Sequence, residues 1–194
     1  MANEKYALLD TDFISKMHLI RKDARNKLID KIMAMPNYTF YCHDQINALH
    51  VGRTEFLEKL TLDCEAIGAG KNLGELKSYV LLQVLNMKFG QRVYVFCSDD
   101  KNARNGVVAI GGASCISVLS SFVRLQKEIH FSREDAEPYI KSYMSCCLGK
   151  NQTTFRIQDT SKERRMRKVP CEQVFDEIFA GKIDEMRTGN LKYI

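Results

Sequence analysis

Carboxylates at strand ends are the residues of this chain best placed to do chemistry. Asp10 and Asp12 follow the apolar run Tyr6-Ala7-Leu8-Leu9, and Asp99 and Asp100 follow Val93 to Cys97 and Ser98. Asp44 comes after the β-rich stretch Tyr38 to Cys42, and Glu75 sits near the start of an amphipathic segment. In a parallel α/β sheet, functional groups gather just past the carboxyl ends of the strands. Three of these four acidic positions therefore belong at one sheet edge. Like charges crowded there repel and raise one another's pKa unless a cation neutralises them. Mg²⁺ or Mn²⁺ on oxygen ligands is the physical solution. Such an ion on a phosphodiester activates a water, orients it and stabilises the leaving oxygen.

Each acid also has a plainer explanation. Asp10 or Thr11 can cap the helix that begins near Phe13, and Asp44 the helix after Cys42. Asn72 with Glu75 fits a capping box, and Ser98-Asp99-Asp100 fits a turn or a helix cap. Singly, the caps are the better explanation. Their shared position at strand ends favours one site.

The elements that must position these groups read as β-α-β-α-α-α-β-α-β-α, which predicts a mostly parallel sheet flanked by helices, a three-layer α/β/α fold. The residues Phe13 to Met35 carry an apolar stripe (Phe13, Met17, Ile20, Ala24, Leu28, Ile32) that predicts one helix ended by Pro36-Asn37. Thr54 to Leu62 reads as a further helix and Asn72 to Lys88 as the clearest one. Val107 to Ile110 is a short apolar run closed by Gly111-Gly112, and a helix is expected from Ser117. From about Gln126 the character changes to an α+β extension. Ser132 caps a helix through Met144, Thr153 to Ile157 is a strand candidate, and Pro170 opens an amphipathic helix stopped by Gly181. The expected organisation is a catalytic domain over 1–125 and an extension over 126–194.

Composition narrows the classes. The chain has 194 residues, 45% of them apolar, which supports a substantial core. No apolar run nears the ~20 residues of a membrane span, and the N-terminus shows no signal-peptide region, so a cytoplasmic protein with no membrane partner is expected. Seven cysteines without a C-x-x-C pair are expected to be reduced and mostly buried. The net charge of +5 is modest, but Lys162, Arg164, Arg165, Arg167 and Lys168 form a local basic run. Such a run is usually a solvated face; its functional reading is phosphate contact.

Together, LLDTDFIS (8–15), YCHDQI (41–46), LGELKS (73–78) and VFCSDDKNAR (95–104) resemble the PIN domain, the fold of many metal-dependent ribonucleases. The resemblance spans roughly residues 5–125. It implies Asp10, Glu75 and Asp99 or Asp100 as ligands of Mg²⁺ or Mn²⁺. Asp44 is the candidate for the acid of the second strand–helix junction, with Asn47 and Ala48 in the following turn. Asp12 stands where family members often carry Asn, which implies a supporting place, while Thr11 and Ser98 would brace the ligands. Lys101 and Arg104 are placed to hold a phosphate. The implied activity is endonucleolytic hydrolysis of single-stranded RNA, with the basic run as an auxiliary contact. A toxin role checked by an inhibitory protein partner is a further implication. So is a homodimer, for which Val174 to Phe179 offers a face, although packing on the chain's own core is the plainer use of that face.

Two rivals stand beside this. Asp10-Thr11-Asp12 also resembles the DxD motif of haloacid-dehalogenase-type phosphatases, with Asp10 as nucleophile and Asp12 as acid/base. That reading leaves Glu75 unexplained and lacks a glycine beside the late acid pair. The other rival is a PIN scaffold without catalysis that binds RNA or a protein.

Overall fold

A computed structural model describes residues 5–42, 58–59, 78–80, 82–83, 87, 95–109, 114–149, 151–158, 166–183 and 192–193. The chain divides into two compact units: Met1–Ile14 with Asn37–Cys115, and Ser15–Pro36 with Ile116–Ile194. The stretch Ser15–Pro36 thus groups with the C-terminal elements.

The first unit is built on a sheet of order β3-β2-β1-β4-β5. Its strands are β1 (Lys5–Leu9), β2 (Tyr38–Cys42), β3 (Glu58–Lys59), β4 (Val95–Cys97) and β5 (Ser114–Ile116). β1 pairs in parallel with both β2 and β4, and β2 with β3. The mixed α/β class expected from the sequence is therefore present. Central parallel strands are buried on both faces and so read as continuous apolar runs. Ala7, Leu8 and Leu9 are buried, as are Val95, Phe96 and Cys97. Leu8, Tyr41, Leu82, Phe96, Ala103 and Val107 form one core cluster.

Three expectations are corrected here. Glu58–Lys59 is not helical but forms the edge strand beside Tyr41 and Cys42. The apolar run at Val107 lies inside the helix α3 (Lys101–Ala109). The stretch Phe13 to Met35 is not one helix: α1 (Thr11–Leu19) and α2 (Leu28–Met33) are separated by a turn closed by an Arg21–Lys27 bridge. Asp23 causes that break. Its carboxylate accepts from the backbone N–H groups of Arg25 (2.8 Å) and Asn26 (2.9 Å) and from Asn26 Nδ2 (2.7 Å). Short acidic side chains that bond local backbone compete with helix in this way. The helical residues within 78–87 agree with the expected Asn72 to Lys88 helix.

Gly106 is required where α3 meets Tyr79. The Tyr79 hydroxyl donates to the Ala103 carbonyl (3.2 Å), and a Cβ on Gly106 would overlap that hydroxyl. Gly106→Ala is therefore expected to lose about 1–3 kcal/mol through overpacking, despite the ~1 kcal/mol that alanine gains over glycine in a helix. Urea unfolding checks this, and Tyr79→Phe should return part of the loss.

The second unit holds the antiparallel sheet β7-β6-β8, with β6 (Thr154–Gln158), β7 (Met166–Pro170) and β8 (Lys192–Tyr193). Besides α2, the helices α4 (Val118–Ile129), α5 (Arg133–Cys146) and α6 (Cys171–Phe179) accompany it. Ser117 caps α4 by accepting from Ser120 N (3.2 Å), and Ser132 caps α5 by accepting from Asp135 N (3.0 Å). Gly181, at φ 71°, follows the end of α6. Phe122, Tyr143 and Phe175 meet edge to face between these helices. The apolar face of α6 is thus buried within its own unit.

Arg167 on β7 binds Glu177 on α6 through both carboxylate oxygens (Nη1–Oε1 3.1 Å, Nη2–Oε2 2.5 Å). That pairing, helped by Gln173, holds the Glu177 carboxyl below the usual range. A depressed acid stabilises the fold above its unfolded pKa, and this is lost as pH falls through the folded value. Stability should therefore fall as pH drops below the ordinary glutamate value of about 4.3. Glu177→Gln should flatten that acid limb in pH-dependent melts.

Among the described residues no helix is long and apolar enough to cross a membrane. The cysteines 42, 97, 115, 146, 147 and 171 are free thiols. Burial pushes Cys115 up to about 11, which keeps it protonated and unreactive at neutral pH.

Candidate functional site

The site starts from strand register. Leu9 lies opposite Cys97 in the parallel pair β1–β4, so Asp10 and Ser98 leave the sheet side by side. Asp10 N continues the ladder by donating to the Cys97 carbonyl (2.9 Å). Two short helices then begin at the same edge. The Asp10 carbonyl accepts from Ile14 N (3.1 Å) to open α1, and the Asp100 carbonyl accepts from Arg104 N (3.1 Å) to open α3.

Ser98 is the centre of the arrangement. Its side chain is fully buried. The hydroxyl lies 2.8 Å from Asp10 Oδ2 and 3.3 Å from Asp12 Oδ1, so its single proton is shared between two carboxylates, with Asp10 the nearer acceptor. The same oxygen accepts from Asp100 N (3.1 Å). Asp12 Oδ1 also accepts from Asp99 N (3.2 Å), and Asp10 Oδ1 accepts from Thr11 N (2.8 Å). Thr11 thus braces Asp10 through its backbone. Asp10, Asp12 and Asp99 are half-buried, whereas Asp100 is exposed.

Cap and cluster turn out not to be rival explanations. Asp100 Oδ1 accepts from Asn102 N (2.7 Å), the ordinary cap of α3. Asp10 occupies the cap position of α1, yet its second oxygen faces Ser98. The partial positive ends of two helices offset part of the negative charge gathered here. Arg104 is buried and donates from Nη1 to the Ser98 carbonyl (2.7 Å), so it braces the loop from behind. Sequence reasoning placed Arg104 on a phosphate. Arg104 lies one turn inside the helix that starts at the loop, near buried Ala103 and Val107. Lys101 is exposed in the first turn of α3.

The donor set suits a hard cation. The available ligand atoms are carboxylate and hydroxyl oxygens, and a carboxylate offers about four acceptor sites. Thr11 N and Ser98 Oγ take one on each Asp10 oxygen, which leaves capacity on both. Among the described residues, no group of three or more His, Cys, Asp or Glu side chains is placed to hold a metal ion. The expected ligands Glu75 and Asp44 lie outside the described residues, as do Asn47 and Ala48.

The basic run separates into parts. Lys162, Arg164 and Arg165 lie outside the described residues. Arg167 is engaged by Glu177, and Lys168 is exposed on β7. Compared with family models, with curated proteins and with solved structures, the chain matches none.

Proposed function

We propose that this chain is a PIN-like ribonuclease that uses Mg²⁺ or Mn²⁺ to hydrolyse phosphodiester bonds of single-stranded RNA. One observation carries the reading. A buried serine hydroxyl ties Asp10 to Asp12 at the carboxyl ends of two adjacent parallel strands, with further acids in the same loop. A chain that needed only helix caps has no reason to join the two strand ends through a shared proton.

In this reading Asp10, Glu75 and Asp99 or Asp100 hold the ion. Such an ion, when bound there, would supply activation of a water and stabilisation of the leaving oxygen. The chain's own residues set the geometry. Thr11 N and Ser98 Oγ fix the two Asp10 oxygens, Asp12 tethers Asp99 through its backbone N–H, and Arg104 holds the loop by the Ser98 carbonyl. Lys101, exposed at the start of α3, is available to a flanking phosphate.

The test is cleavage of a labelled single-stranded RNA by the wild type, Asp10→Asn and Glu75→Gln, each with Mn²⁺ and with EDTA. Cleavage confined to the wild type with metal supports the reading. Equal cleavage in EDTA contradicts it.

A further inference from the structure

The three-stranded sheet of the second unit carries a feature that the basic run alone does not reveal. Register places Arg156 on β6 directly opposite Lys168 on β7 and, on its other side, opposite Lys192 on β8. Three basic residues thus stand in one row across three antiparallel strands. Strands lie about 4.8 Å apart, so the row spans about 10 Å of sheet. Like charges directly opposed across strands are destabilising.

Alternation along the strands separates this row from the core. Phe155, Ile157 and Val169 are buried, and Arg167, on the same side as Val169, is held by Glu177 of α6. Arg156 and Lys168 alternate with these and are exposed. Among the described residues neither has an acidic partner within ion-pair distance. Elsewhere in the unit cations do find acids, as Arg133 shows by binding both Glu137 and Asp176.

We infer that this sheet face binds a phosphodiester backbone, laid across the strands so that successive phosphates meet Lys168 and Arg156. An anion chain relieves a repulsion that is otherwise built into the fold, and its release of counterions adds affinity. The guanidinium of Arg156 suits a phosphate because it can offer two parallel N–H donors. The choice of single-stranded RNA as occupant rests on the nuclease reading; the cationic row does not.

The test is binding of a short fluorescein-labelled oligouridine by anisotropy, in EDTA, across a salt series. Arg156→Gln combined with Lys168→Gln should weaken binding by about tenfold or more at low salt, and should flatten the log–log salt slope by about 1.4, or about 0.7 per lost phosphate contact. A control of equal charge change, Lys22→Gln with Lys141→Gln, should stay near wild type. Melting of the row variant should be unchanged or raised, because two opposed cations are gone. Unchanged affinity, an equal loss in the control, a lowered melting temperature, or tighter binding to polyglutamate or to anionic vesicles than to oligouridine would each overturn the inference. Since EDTA removes divalent ions, the binding read here does not depend on the metal site. Wild-type protein that binds the strand in EDTA yet does not cleave it once Mn²⁺ is restored would count against the nuclease reading alone.

Discussion

Phe175→Ala is expected to remove about 3–5 kcal/mol of stability. Phe175 is fully buried on α6. Its ring lies 5.2 Å from Phe122 and 5.7 Å from Tyr143, at interplanar angles of 80° and 78°. Phe122 and Tyr143 themselves meet at 6.2 Å and 82°. The three rings come from α4, α5 and α6, so truncating one leaves a cavity that no single helix can fill. Each edge-to-face contact contributes about 0.5–1.5 kcal/mol beyond area burial. Phe175→Leu keeps most of the volume and should lose clearly less. Urea unfolding of the three proteins measures the difference. A loss below about 1 kcal/mol for Phe175→Ala would mean that the cluster is not the core of this unit.

Asp10→Asn is expected to reduce metal-dependent cleavage by about a hundredfold or more, the scale of losing one electrostatic stabiliser of a transition state. Folding should survive the change. An asparagine keeps one acceptor oxygen, so it can serve Thr11 N or Ser98 Oγ but not both. That loses one charge-assisted hydrogen bond, worth about 1.5–3 kcal/mol. Removing a negative charge beside Asp12 returns part of it. The expected signature is a protein that melts near the wild type without metal and yet does not cleave. Asp12→Asn separates the phosphatase rival: it should abolish a covalent phosphatase but only weaken a PIN-like nuclease.

Much of the fold was legible because several signals are local. Ser132 caps the helix it was expected to cap, the helix expected from Ser117 begins there, and Pro170 and Gly181 flank α6. The apolar runs read as buried parallel strands because Ala7 to Leu9 and Val95 to Cys97 are covered on both faces. The misread places share a physical reason. Ile20, Ala24, Leu28 and Ile32 keep helical spacing across a turn, and only Asp23 and Asn26 betray the break through bonds that periodicity does not weigh. Glu58–Lys59 forms a strand of two residues, too short to show alternation. Its pairing with Tyr41 and Cys42 comes from tertiary context. In the candidate site, the strand ends placed Asp10 beside Ser98. The inward turn of Arg104 depended on which face of α3 meets the sheet, which residue types alone do not specify. The cationic row depended on the register between strands, which residue types alone do not specify.

The central claim is that the acids around Ser98 hold a divalent ion. Thermal unfolding of the wild type and Asp10→Asn, each with and without millimolar Mn²⁺, tests it most directly. A ligand that binds only the folded state adds about 2.7 kcal/mol of stability at a hundred times its Kd. The account predicts a clear rise in the wild-type Tm that disappears in Asp10→Asn. No rise in the wild type, or the same rise in both proteins, would contradict it.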